Sequence, residues 1–112
     1  MYNYSDLSNE ELFKLIANKD IEGINFIYDK YSPAIYTLIL KKVSTRQEAN
    51  DILYDTFVTG FKGLSSSSLS TTIFVYFYRI AISYIKKRNV LYMIHPEYNT
   101  QSLSNALKKF SN

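Results

Sequence analysis

The sequence predicts an all-α fold, a small bundle of about four main helices, and three observations carry that prediction. Apolar residues recur at three- and four-residue spacing in successive stretches of the chain, which is the period of one helix face. Ser, Thr and Asp stand just ahead of those stretches, and Ser8, Ser44 and Thr45 each have Glu or Gln three residues on. Only residues 90–94 read as β-prone, and no strand partner for them is evident elsewhere.

At 112 residues the chain is one domain with room for a single core. A helical domain over residues 1–89 and a tail over 90–112 describe its organisation. The net charge of +3 is unevenly spread: residues 1–55 carry −3 and residues 56–112 carry +6. That split predicts one acidic or neutral contact surface and one surface facing an anion. With no cysteine, disulfides and thiolate metal sites are excluded, and the single His95 reads as a surface residue beside a turn. No apolar run approaches the ~20 residues that span a bilayer, and the first residues are polar and acidic. The expected setting is cytoplasmic, without membrane contact.

In chain order, a capping box of Ser8 and Glu11 opens a short helix to about Ala17, with Leu12, Leu15 and Ile16 as its apolar stripe. Asp20 caps the next helix, expected from Ile21 to about Val43 with Ile24, Ile27, Tyr28, Tyr31, Ile35, Leu38 and Lys42 on one face. Pro33 within it predicts a kink or two abutting helices. Tyr28, Tyr31 and Tyr36 read as core and rim. Overlapping boxes at Ser44/Gln47 and Thr45/Glu48 start a third helix, with Ala49, Ile52, Leu53, Thr56, Phe57 and Phe61 buried. Its other side presents Asp51, Tyr54, Asp55 and Val58. Asp51 and Asp55 could be read as a catalytic or metal pair, but with no histidine near them a protein-docking patch is the better reading.

Residues 63–72, with four consecutive serines, predict a loop, either a plain connector or part of a binding surface. A helix from Thr72 to Asn89 follows. Ile73, Phe77, Ile80, Ala81, Tyr84 and Arg88 form its buried stripe, while Arg79, Ser83 and Lys87 line up on the opposite side, flanked by Tyr76, Lys86 and Arg88. A helix front of cations, hydroxyls and rings suits an anionic partner bearing bases; a merely solvated face is the plainer reading. Residues 90–94 continue the helix or form an extended strap, and Leu103, Ala106, Leu107 and Phe110 mark a short amphipathic helix. That last helix would pair two chains or shield the core. No Gly-rich phosphate loop, nucleophile motif or metal-ligand spacing occurs, so a binding module without cofactor or small-molecule substrate is expected rather than an enzyme.

Four segments in order, LSNEELFKLIANKD (7–20), IYDKYSPAIY (27–36), QEANDILYDTF (47–57) and YFYRIA (76–81) followed by ISYIKKR, resemble region 2 of the extracytoplasmic-function (ECF) sigma factors of bacterial RNA polymerase. The resemblance spans residues 5–89. It implies an all-helical bundle with two working surfaces. One docks on the clamp coiled coil of the polymerase's largest subunit and maps to Ala49, Asn50, Asp51, Tyr54, Asp55 and Phe57, beside Val58. The other takes the melted promoter −10 element, chiefly its non-template single strand, and maps to Ser65, Ser66, Ser67, Ser68, Ser70, Tyr76, Arg79, Ser83, Lys86, Lys87 and Arg88. An anti-sigma factor is a further implied partner.

The chain departs from the family pattern in three places. Asn50 and Tyr54 stand where the docking motif has an acidic residue and glutamine, and Tyr76 stands where the family has tryptophan. Beyond residues 79–81 the chain is about four residues short, about one helical turn, which rotates the downstream residues by roughly 40°. The family's second, helix-turn-helix domain has no place in this sequence, which leaves a fragment, a truncated product or a module acting alone. The alternative function is a sigma-like protein-interaction module without useful DNA binding.

Overall fold

The computed structural model describes residues 3–63 and 71–94, the last five by backbone alone. Among them are a 3-10 turn at Tyr4–Asp6 and four α-helices: α1 (Asn9–Ala17), α2 (Ile21–Leu40), α3 (Arg46–Lys62) and α4 (Ile73–Ile94). No strand occurs among the described residues, so the protein is all-α.

Local chemistry sets the helix starts. The Ser8 hydroxyl accepts from the Glu11 N–H at 3.1 Å, and the Glu11 carboxylate accepts from the Ser8 N–H at 3.2 Å, a complete capping box for α1. Asp20 accepts from the Gly23 N–H at 2.8 Å and starts α2. Thr45 accepts from the Glu48 N–H at 3.1 Å and starts α3; Gln47 bonds Asp51 instead of Ser44. For α4 the caps are shared between near and far sequence. Thr72 accepts from the Val75 N–H, and Asn9, at the start of α1, accepts from the Ile73 N–H at 2.9 Å. One helix therefore caps another.

The α1–α2 connection closes through Lys19, whose φ of 56° lies in the left-handed region. The Asp20 N–H reaches back to the Leu15 carbonyl and the Lys19 N–H to that of Ile16. The Lys19 ammonium also donates to the Phe61 carbonyl, one of the last-turn acceptors of α3 that the helix itself leaves open.

α2 runs as one helix through Pro33 and ends at Leu40, short of the expected Val43. Pro33 and Asp29 are both exposed, so water can serve the carbonyl that a proline cannot bond. Its buried stripe is Gly23, Ile27, Ser32, Ile35 and Ile39. Ile39 thus replaces the expected Leu38, Tyr28 is 40% exposed, and Lys42 lies beyond the helix in solvent.

The core joins all four helices through Leu12, Phe13, Ile16, Ile27, Ile35, Ile39, Ala49, Ile52, Phe57, Ile73, Phe77, Ala81 and Ile85. α4 packs most extensively on α3, and α2 lies against both. The seam between α3 and α4 is closed by aromatic packing: Phe77 stacks on Phe57 with centroids 4.4 Å apart and meets Phe61 edge-on at 5.3 Å. Gly60 gives the Phe77 ring its room, since a Cβ there would sit 2.7 Å from Phe77 Cδ1. The uncompensated polar group in this core is Thr56, fully buried with no partner for its hydroxyl among the described residues.

Of the two expectations for residues 90–94, the helix continuation holds. The boundary expected at residue 89 falls inside α4. The serines at 65–68 and 70, His95 and the 103–110 stripe lie outside the described residues.

Candidate nucleic-acid and docking surfaces

α3 and α4 run antiparallel, because Gly60 lies against Tyr76 and Phe77 while Asp51 lies against Arg88. The buried side of α4 is a strict four-residue series, Ile73, Phe77, Ala81 and Ile85, with Ile80, Tyr84 and Arg88 half-buried at its margin. Arg79, Ser83, Lys86 and Lys87 are exposed, as expected for an outward front.

Within that front the grouping differs from the expected row. At 3.6 residues per turn Lys86 falls about 20° from Arg79 around the axis, while Lys87 falls about 80° away. Accordingly Arg79, Ser83 and Lys86 line one shallow groove of ≈280 Å³ with Tyr78 and Ile82. Lys87 instead places its ammonium over the Tyr84 ring, 5.3 Å from the centroid. Tyr84 in turn shares a hydrogen bond with Thr59 of α3.

Two residues expected to flank the front turn toward α3. Tyr76 is half-buried; its hydroxyl donates to the Gly60 carbonyl at 2.6 Å, and its ring meets Phe13 and Phe77 edge-on. Burial pushes its phenol above the ordinary range. Arg88 forms an ion pair with Asp51 at 3.5 Å. The physical reason is shared: both sit on the α3 side of α4, where the Gly60 carbonyl supplies an acceptor and Asp51 a charge.

The expected docking patch on α3 is likewise divided. Asn50, Tyr54 and Val58 line a groove of ≈440 Å³ between α2 and α3, together with Ile24, Asn25, Tyr28, Leu53, Phe57 and Phe61. Tyr54 is 69% exposed, the largest exposure of any aromatic side chain in the groove. Asp51 and Asp55 are half-buried on the other edge of the helix, toward α4. The Asp51–Arg88 pair therefore joins the acidic and basic surfaces along one seam, although helical spacing alone sets them fully apart.

Sequence reasoning missed Tyr78 and Ile82 beside the basic groove, and Ile24 and Tyr28 in the apolar one. The signal for the first pair was present: residues 78, 82 and 86 repeat every four positions alongside Arg79 and Ser83. The second pair comes from a different helix and has no local signature.

No helix among the described residues is long and apolar enough to cross a membrane, and no cluster of metal-ligating side chains occurs among them. No family model, curated protein or solved structure matches the chain.

Proposed function

We propose that this chain is a region-2-like sigma module that docks on core RNA polymerase and binds the melted −10 element of a promoter, without catalysing a reaction itself. The observation that carries the reading is the outward groove of α4, where Arg79, Ser83 and Lys86 stand exposed beside a tyrosine. Unpaired strands are held by cations that meet phosphates and by rings that meet base faces, and this groove offers both. The ordered set of sequence segments resembling ECF region 2 supplies the promoter and polymerase context. The groove between α2 and α3, apolar and centred on Tyr54, supports docking on a protein helix.

A labelled −10 single strand and its matched duplex, titrated by fluorescence anisotropy across a salt series, test the nucleic-acid half. Binding should prefer the single strand, weaken steeply with salt, and fall for Arg79→Ala and Lys86→Ala, the two cations of the groove. Absence of binding at low salt would remove the promoter-binding role. The second reading, a module for polymerase or anti-sigma docking alone, is favoured by Arg88 being held by Asp51 and by the exposure of Tyr54. Under it, polymerase capture persists while the strand does not bind.

A further inference from the structure

We infer that the apolar groove between α2 and α3 is covered by this chain's own tail, with residues 103–110 lying along it as a short amphipathic helix. The inference goes beyond the function proposed above and needs neither polymerase nor promoter. It makes the groove a self-occupied site, so any helix that docks there first displaces the tail.

Exposed apolar surface among the described residues collects at this groove. Tyr28 and Tyr54 line it with Ile24, Leu53, Phe57 and Val58. Ile21 stands three residues ahead of Ile24 on the same face of α2, so three of the four exposed large apolar side chains among the described residues lie along one strip. A contiguous strip of this kind marks a contact surface.

The tail supplies the matching stripe. Leu103, Ala106, Leu107 and Phe110 repeat at helical spacing within residues 95–112, which lie outside the described residues. Residues 103–110 rise about 10 Å as a helix, and the groove runs about 16 Å along α3 from Asn50 to Phe61. α4 reaches Ile94, about 9 Å past Arg88, which pairs with Asp51 of α3. Asn50, at the near end of the groove, adjoins Asp51, so the tail returns about 9 Å along the bundle and crosses at most two helix spacings, about 20 Å. Residues 95–102 reach about 26 Å when extended, and Pro96 disfavours helix at His95, where the turn back begins. A tether of this length holds the stripe at a local concentration on the order of millimolar.

Charge selects this groove over the other. Lys108 and Lys109 are the only charged residues from 98 to 112. Glu22 and Asp29, exposed on α2 one turn either side of Asn25, flank the outer edge of the α2–α3 groove by helical spacing and attract them. The groove of α4 carries Arg79 and Lys86, which repel them. So short a helix is held weakly and leaves ahead of global unfolding, so the melting of the bundle does not report it.

The chain has no cysteine, so Ser111→Cys accepts a single nitroxide. In the isotope-labelled full chain that nitroxide should broaden the amide signals of Ile24, Asn25, Tyr54 and Val58 more than those of Arg79, Ser83 and Lys86. Adding Leu107→Ser and Phe110→Ser should remove most of the broadening while the amide spectrum of the bundle stays folded. A nitroxide-bearing chain without isotope, mixed with an isotope-labelled chain without nitroxide, should broaden nothing.

Unbroadened groove amides would overturn the inference and leave the groove to a separate protein. Strongest broadening on the outward face of α4 would overturn it as well. Broadening in the mixed sample as strong as within one chain would make a second copy the occupant, against the inference. If the Leu107→Ser, Phe110→Ser chain keeps the full effect, the apolar stripe is not what docks and the inference fails.

Discussion

Replacing Gly60 by alanine should loosen the seam between α3 and α4. The new Cβ would lie 2.7 Å from Phe77 Cδ1 and 3.1 Å from Cζ, with Cε1 nearer still. The ring cannot step aside cheaply, because it is fully buried, stacked on Phe57 at 4.4 Å and met edge-on by Phe61 at 5.3 Å. Overpacking of this kind costs about 1–3 kcal/mol. Displacing α4 also strains the Tyr76 hydroxyl bond to the Gly60 carbonyl, a net contribution of about 1 kcal/mol. Against this, alanine gains about 1 kcal/mol over glycine in a helix interior. The balance is a loss of about 2 kcal/mol, a fall in melting midpoint of roughly 8 °C or more for a domain of this size. Thermal melts followed by far-UV circular dichroism measure it. Helix propensity alone predicts the opposite sign, so an unchanged or raised midpoint would refute the packing argument. Adding Phe77→Leu should make Gly60→Ala milder, since the clash is with that ring.

The remaining expectations concern single residues. Thr56→Val should raise stability by about 1 kcal/mol in urea titration, because it removes a buried hydroxyl that has no partner among the described residues; a lowered midpoint would mean that the hydroxyl is satisfied after all. Tyr76→Phe should cost about 1 kcal/mol at neutral pH through loss of the Gly60 bond. Burial raises the Tyr76 phenol above its ordinary 10.0, so the unfolded chain releases that proton at lower pH than the folded one. This group's share of stability is intact below about pH 10 and declines as pH climbs through the folded value. The Phe variant should lack that part of the alkaline loss, and identical alkaline slopes would contradict it. Tyr54→Lys, on an exposed position, should leave melting unchanged while reducing capture of bacterial core RNA polymerase. Equal capture would move the docking surface away from the α2–α3 groove.

What was legible in the sequence is what is local. The Ser8–Glu11 box and the Asp20 and Thr45 caps each depend on residues within a turn, and each stands where its spacing placed it; on α4 the expected Ile73, Phe77 and Ala81 are buried, but Ile85 takes the last place in that stripe, with Ile80, Tyr84 and Arg88 at its margin. The capping of α4 by Asn9 and the tie from Lys19 to Phe61 span 64 and 42 residues, and no periodic pattern encodes them. Tyr76 shows the same limit at the site. Its position at the margin of the buried stripe permits either an inward or an outward ring, and the Gly60 carbonyl and the Phe13 ring, both on other helices, decide for inward. Arg88 fits either stripe by spacing alone, and Asp51, 37 residues away, decides its place as an ion-pair partner. Lys86 and Lys87 were separable in principle, since the helical angle already sets Lys86 beside Arg79; a four-residue row simply reads more readily than a seven-residue one.

The outward face of α4 is the surface assigned to nucleic acid, and the promoter-binding role stands or falls with it. Titrating the isotope-labelled chain with a −10 single strand and following backbone amide shifts by NMR maps that contact directly. The largest perturbations should fall on residues 78–87, with Arg79, Ser83 and Lys86 foremost and the Tyr54 groove unmoved. Shifts confined to the α2–α3 groove, or none at low salt, would contradict it.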